Sequence, residues 1–130
     1  MPEVHLVAVL VTTLVAVGFS GAYYTVLGDQ LASVSEVAAA GEQPPPLAMA
    51  AELVRSLVLV AVIAGLVTQT GTDDWTGGLF LGLGLWVGFP LVLWAGAMLH
   101  ERTSWKLAAI HGGDWLGKVP LITVVLAIWQ

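Results

Sequence analysis

Four long apolar runs separated by shorter polar stretches set the pattern of this chain. They extend from Val4 to about Leu27, from Leu47 to about Gln69, from Gly77 to Leu99 and from Leu107 to Trp129. At a rise of about 1.5 Å per residue, each is long enough as a helix to cross the ~30 Å hydrocarbon layer of a bilayer. The pattern predicts an all-α fold: an integral membrane bundle of four transmembrane helices, forming a single membrane domain with spans at about 4–27, 47–69, 77–99 and 107–129.

The breaks carry their own signals. Gly28 to Pro46 is the one long polar segment; its Pro44, Pro45 and Pro46 bar helix continuation and prepare a new start. Apolar and polar residues alternate from Asp29 to Ala40, which predicts a short interfacial helix or loop. In the third run Gly78 and Gly82 form one GxxxG, Gly84 and Gly88 another, and Gly77, Gly84 and Gly88 line up along the helix, predicting a seam for close helix packing. Trp86 is expected on the opposite side of that helix, and Pro90 should bend it. Pro120 predicts a kink dividing the fourth run. Tyr23 and Tyr24, near the end of the first run, suit an interfacial aromatic belt, as do Trp75, Trp105 and Trp129, and His5 is expected at an interface.

The fourth run departs from the apolar pattern because it contains His111, Asp114 and Lys118. Their spacing of i, i+3 and i+7 puts them on one helical face, with Trp115 beside it. An ionisable group in hydrocarbon costs roughly 2.5 to 3.5 kcal/mol on insertion scales, so this face is expected to turn toward protein or water. In the second run Glu52 and Arg55 stand at i, i+3. Counted from the starts of their runs, Arg55 and Asp114 both lie about 12 Å deep, Glu52 lies near the level of His111, and Lys118 reaches roughly 18 Å. Matched depth predicts a polar cluster of Glu52, Arg55, His111, Asp114 and Lys118 between the second and fourth helices, with Arg55 meeting Asp114. Asp114, one turn back, is the nearest partner for Lys118. The plainer alternative for Glu52 and Arg55 is an interfacial ion pair of their own.

Composition agrees with the bilayer as solvent: of 130 residues, 58% are hydrophobic and 10% charged, against about 25% charged in soluble domains. With no cysteine there is no thiolate metal site or cysteine nucleophile. The net charge of −5 is spread thinly, which argues against a nucleic-acid partner. No phosphate loop, metal-spaced His and acid set or catalytic carboxylate pair is present, so neither enzymatic activity nor a cofactor or metal is expected. The start Met1, Pro2, Glu3 lacks the positive charge of a secretory signal. The positive-inside rule places loops 28–46 and 100–106, which hold or adjoin Arg55, Arg102 and Lys106, in the cytoplasm, with both termini external.

The chain resembles the DUF1761 family of small four-helix membrane proteins of unknown function. The resemblance rests on Gly21, Ala22, Tyr23 and Tyr24 followed by Leu27 and Gly28, on Gly82 to Phe89 with Leu85, Trp86 and Gly88, and on the Glu101, Arg102 to Trp105, Lys106, Leu107 turn into the last helix. It implies four spans and no activity or catalytic residues. The residues leave two readings: a polar intramembrane site for passage of an ion, a proton or a small solute, or a structural cluster that fixes helix packing in an accessory protein. A homo-oligomer is expected in the lipid bilayer, because four helices enclose little room and the glycine seam has capacity for a second partner.

Overall fold

The computed structural model describes residues 5–34 and 46–129. The helices are α1 (Leu6–Val26), the short α2 (Gly28–Ala32), α3 (Pro46–Gln69), α4 (Trp75–His100) and α5 (Trp105–Trp129), and no strand occurs among the described residues. All but α2 are long and apolar enough to cross a membrane. The interfacial segment ends at Ala32; its expected continuation to Ala40, with Glu36, Glu42, Pro44 and Pro45, lies outside the described residues.

Local chemistry sets the helix ends. His5 caps α1, its Nδ1 accepting from the Ala8 amide at 3.3 Å. Asp74 caps α4, its Oδ1 accepting from the Gly77 amide at 2.9 Å, which satisfies one of the free donors of a first turn. Arg102, between α4 and α5, has φ +54°, a left-handed backbone that stops one helix before the next begins.

The bundle is organised around α5. Half of its apolar stretch is buried, against 28% for α1 and α3 and 11% for α4. α1 and α3 pack against α5 and each other, and α4 packs almost wholly against α5. The apolar core joins Ala8, Val9 and Ala16 of α1 to Val60, Ile63 and Val67 of α3 and to Ile122 and Leu126 of α5. It occupies the end of the bundle where α1 begins and α5 finishes, and where His5 lies against Trp129 with ring centres 5.9 Å apart. At the other end Lys106 Nζ donates to Ser33 Oγ at 2.9 Å, joining the two loops.

The two glycine pairs of α4 differ in use. Gly78 and Gly82 face α5 at backbone distance: a Cβ on Gly78 would stand 2.8 Å from the Thr123 carbonyl oxygen, and one on Gly82 would collide with Thr123 Oγ1 and Pro120. Gly77 serves the cap instead, where a Cβ would meet Asp74 Oδ1 at 2.7 Å. A Cβ on Gly84 or Gly88 would meet nothing within 4 Å, and both are exposed, so the seam expected to run through them is not used inside the bundle. The two prolines are accommodated differently. Pro90 sits in a π-helical turn, Val87–Leu91, that absorbs the missing donor within one continuous helix. Pro120 does not divide α5, which runs unbroken from Trp105 to Trp129; its ring is buried where Gly82 makes room for it.

Gly82→Ala should therefore destabilise the protein by about 1–3 kcal/mol through overpacking. Gly84→Ala should be neutral or stabilising, by up to about 1 kcal/mol, because it removes helix-interior glycine without meeting a neighbour. Unfolding of both variants in the same detergent, followed by circular dichroism, checks the contrast.

Candidate polar site between the first and fourth spans

Asp114 and Lys118 lie in the middle of α5, on its buried face. One turn apart, they form an ion pair of 3.1 Å between Lys118 Nζ and Asp114 Oδ2, with side chains only 7% and 3% exposed. The Lys118 ammonium also lies over the Trp115 ring, 4.3 Å from its centre, so that side chain supplies a π face where the second partner of a buried cation would otherwise be missing. The other carboxylate oxygen is satisfied from α1: Ser20 Oγ donates to Asp114 Oδ1 at 2.7 Å. A buried carboxylate with one oxygen on an ammonium and the other on a hydroxyl meets the conditions under which a charge is tolerated out of water.

The contact continues toward the loop end. Tyr23 OH donates to the Ile110 carbonyl at 2.6 Å, and Tyr24 OH is hydrogen-bonded to His111 Nδ1 at 2.7 Å. Trp94 of α4 stacks on the His111 ring, centres 5.2 Å apart and planes within 11°. Trp86, also from α4, donates from Nε1 to the Gly112 carbonyl at 2.9 Å. α1 approaches this closely because α5 carries glycine opposite its aromatic rings. A Cβ on Gly113 would strike the Tyr23 hydroxyl, and one on Gly117 would strike the Phe19 ring. Tyr24 with His111, Ser20 with Asp114 and His5 with Trp129 keep one antiparallel register along the whole helix pair.

The structure thus brings His111, Asp114 and Lys118 together and leaves Glu52 and Arg55 out. Arg55 Nη1 donates to Glu52 Oε2 at 2.6 Å within α3, with side chains 68% and 47% exposed. Arg55 does not meet Asp114: each acid is already paired with a base of its own helix, and the face of α5 that holds Asp114 is covered by α1. The partners missing from the sequence reading are Ser20, Tyr23 and Tyr24, a hydroxyl stripe at i, i+3 and i+4 on α1. Trp86, expected on the side of α4 opposite the glycine seam, is half-buried against α5 through its bond to Gly112. Tyr23 and Tyr24 likewise use their hydroxyls inside the bundle rather than in an aromatic belt. No group of three or more His, Cys, Asp or Glu side chains suited to a metal occurs among the described residues.

Fold and site together define a four-span helical membrane protein with a charged, internally paired helix contact. The chain belongs to the DUF1761 family, described as protein of unknown function, which matches residues 7–127. No curated protein and no solved structure matches it.

Removing one member of the buried pair strands the other. Asp114→Ala or Lys118→Ala alone should cost about 3–5 kcal/mol, while the combined Asp114→Leu and Lys118→Met replacement should recover most of that loss. Arg55→Ala should cost no more than about 1 kcal/mol and add independently to Asp114→Ala. Detergent unfolding of the single and double variants measures all of these.

Proposed function

We propose that this protein is a small, non-catalytic, multi-pass membrane protein whose charged cluster is a fastener: Asp114, Lys118 and Ser20 hold α1 and α5 in one register, and the bundle so fixed serves as an accessory or scaffold in the bilayer. The observation that supports this reading is the enclosure of the ion pair and the full use of its carboxylate. Asp114 and Lys118 are buried, and both carboxylate oxygens find donors within the same chain. A site that passes solute needs room for water beside its charges. The best-formed grooves on the described surface are apolar: one is lined by Leu10, Thr13, Leu14, Leu53, Val54 and Leu57, another, beside the α1–α5 contact, by Phe19, Ala22, Tyr23, Val26 and Leu27, and His111, Asp114 and Lys118 line neither.

A second reading, passage of a proton, an ion or a small solute, draws on a different observation. His111, Asp114 and Lys118 face Tyr24 and Ser20 as a ladder of exchangeable groups, which starts at the half-buried His111 and runs inward. An ammonium has three N–H donors, and Lys118 makes one hydrogen bond among the described residues. Intramembrane ionisable groups with spare capacity mark many relay sites.

Water access separates the two. Ser20→Cys places the only thiol of a cysteine-free chain beside Asp114 with little change of volume. In vesicles the fastener reading expects it to resist membrane-impermeant thiol reagents from both sides until the protein is denatured. Rapid labelling of the folded protein from one side would overturn that reading in favour of the passage site.

A further inference from the structure

The second ion pair of the chain differs from the first in one respect, exposure. Glu52 and Arg55 lie on the outer surface of α3, three and six residues inside the apolar stretch Met49–Gln69. Arg55 is thus about 9 Å along the helix from the start of that stretch. Nothing else in the described bundle covers the pair. Among helices otherwise clad in aliphatic side chains, it sets two charges on an open face of a span-length apolar stretch, and an uncovered charge in hydrocarbon is strongly disfavoured.

The same face continues in a regular row. Glu52, Arg55, Leu59, Val62 and Leu66 recur at steps of 3, 4, 3 and 4, the heptad spacing that lets two parallel helices interlock along a left-handed seam. Val62 is 59% exposed and Leu66 37% exposed, open to a partner, while Leu59 is half-buried against the core at the edge of the row. The core of α3 faces elsewhere, through Val60, Ile63 and Val67.

The geometry points to a second copy of this chain as that partner, docked two-fold along the outer face of α3. Copies inserted in the same sense have parallel α3 helices, and parallel heptad seams pack level with level. Glu52 of each copy then lies one layer from Arg55 of the other, so the two intrachain pairs close into a four-charge ring that no longer faces lipid. The face is self-complementary, as a two-fold interface must be. Gly84 and Gly88 of α4 are also exposed, but glycine leaves no charge uncovered, and lipid chains satisfy such a surface as well as protein does. The proposed interface is separate from the Asp114 cluster and does not depend on what that cluster does.

Charge-swapped chains bearing different tags, co-expressed in one membrane, test the proposal. Glu52→Arg alone gives two cations per copy, and Arg55→Glu alone gives two anions, so each should co-purify with its own kind about tenfold less than the unaltered chain does. Co-expressed together, the two variants should recover each other, because only an interchain ring restores opposite charges; a pair acting solely within α3 would not be rescued. A second measurement does not disturb the charges. Val62→Cys in this cysteine-free chain should form a disulfide-linked dimer on mild oxidation in the membrane, whereas Gly84→Cys and Gly88→Cys should not. Undiminished recovery of either charge variant with itself, failure of the mixture to recover, a monomeric Val62→Cys chain, or cross-linking through Gly84→Cys or Gly88→Cys would each overturn the interface.

Discussion

The architecture depends on the Asp114–Lys118 pair being buried. Within α5 the two residues are one turn apart, so their bond is available as soon as the helix exists, before it meets any other helix. That bond reduces the burden of two charges in hydrocarbon but satisfies one carboxylate oxygen only. The remaining lone pairs need a donor from outside the helix, and the face that carries them must be closed to lipid. α1 meets both requirements. Ser20 gives the donor, while Phe19, Tyr23 and Tyr24 cover the face by lying over Gly113, Gly117 and His111. An apolar contact between two helices would tolerate a slide of one residue, whereas this one aligns a hydroxyl with a carboxylate, a phenol with an imidazole and a ring with a glycine. A slip in register breaks all three together. Specificity of register, more than net stability, is what a buried ion pair contributes when apolar packing is available as an alternative.

The rest of the bundle follows from the commitment of α5 to α1. With one face given to polar contacts at the loop end and to Ile122 and Leu126 at the other, α5 receives α4 on a further face, where two backbones touch through Gly78 and Gly82. This close approach explains how Pro120 is accommodated. Its ring occupies space that any side chain at Gly82 would fill, so the residue expected to break the helix becomes part of a helix–helix contact. α4 passes its own proline through a π turn and then brings Trp94 onto His111, so the imidazole meets an indole and a phenol from different helices.

Much of this was legible in the chain itself. The four hydropathic runs correspond to four helices, and the 3.6-residue period puts His111, Asp114 and Lys118 on one face. The i, i+3 and i, i+4 spacings pair Arg55 with Glu52 and Lys118 with Asp114. Hydropathy could not select the partner of α5. Depth along the membrane is one coordinate, and α1 and α3 both pass Asp114 at a suitable level, so matched depth alone favours the helix with charges over the one with hydroxyls. The helix that won carries a stripe of Ser20, Tyr23 and Tyr24 with the same rise as the stripe it covers, and the small residues Gly113 and Gly117 lie where its rings arrive. That complementarity was present in the sequence but becomes visible only when two stripes are compared as surfaces. The same holds for glycine: Gly78 and Gly84 look alike as members of GxxxG motifs, and only the azimuth set by α5 separates the one in contact from the one exposed.

The two ion pairs among the described residues form a controlled comparison. Each joins an acid to a base on one helix, one turn apart, and each is short. They differ in what the neighbouring surface offers. Beside Asp114 there is a hydroxyl aimed at the free oxygen and a flat indole under the ammonium, so both carboxylate oxygens have donors within one chain, the ammonium has an acid and a π face, and α1 can seal them. Beside Glu52 and Arg55 there are aliphatic side chains and an open face, so the pair is neutral as a unit yet leaves several donors and acceptors without partners among the described residues. Charge neutrality alone therefore does not decide where these two pairs sit, because both are neutral. What separates them is a second helix: α1 brings a donor and aromatic cover to Asp114, and nothing in the described bundle does the same for Glu52 and Arg55.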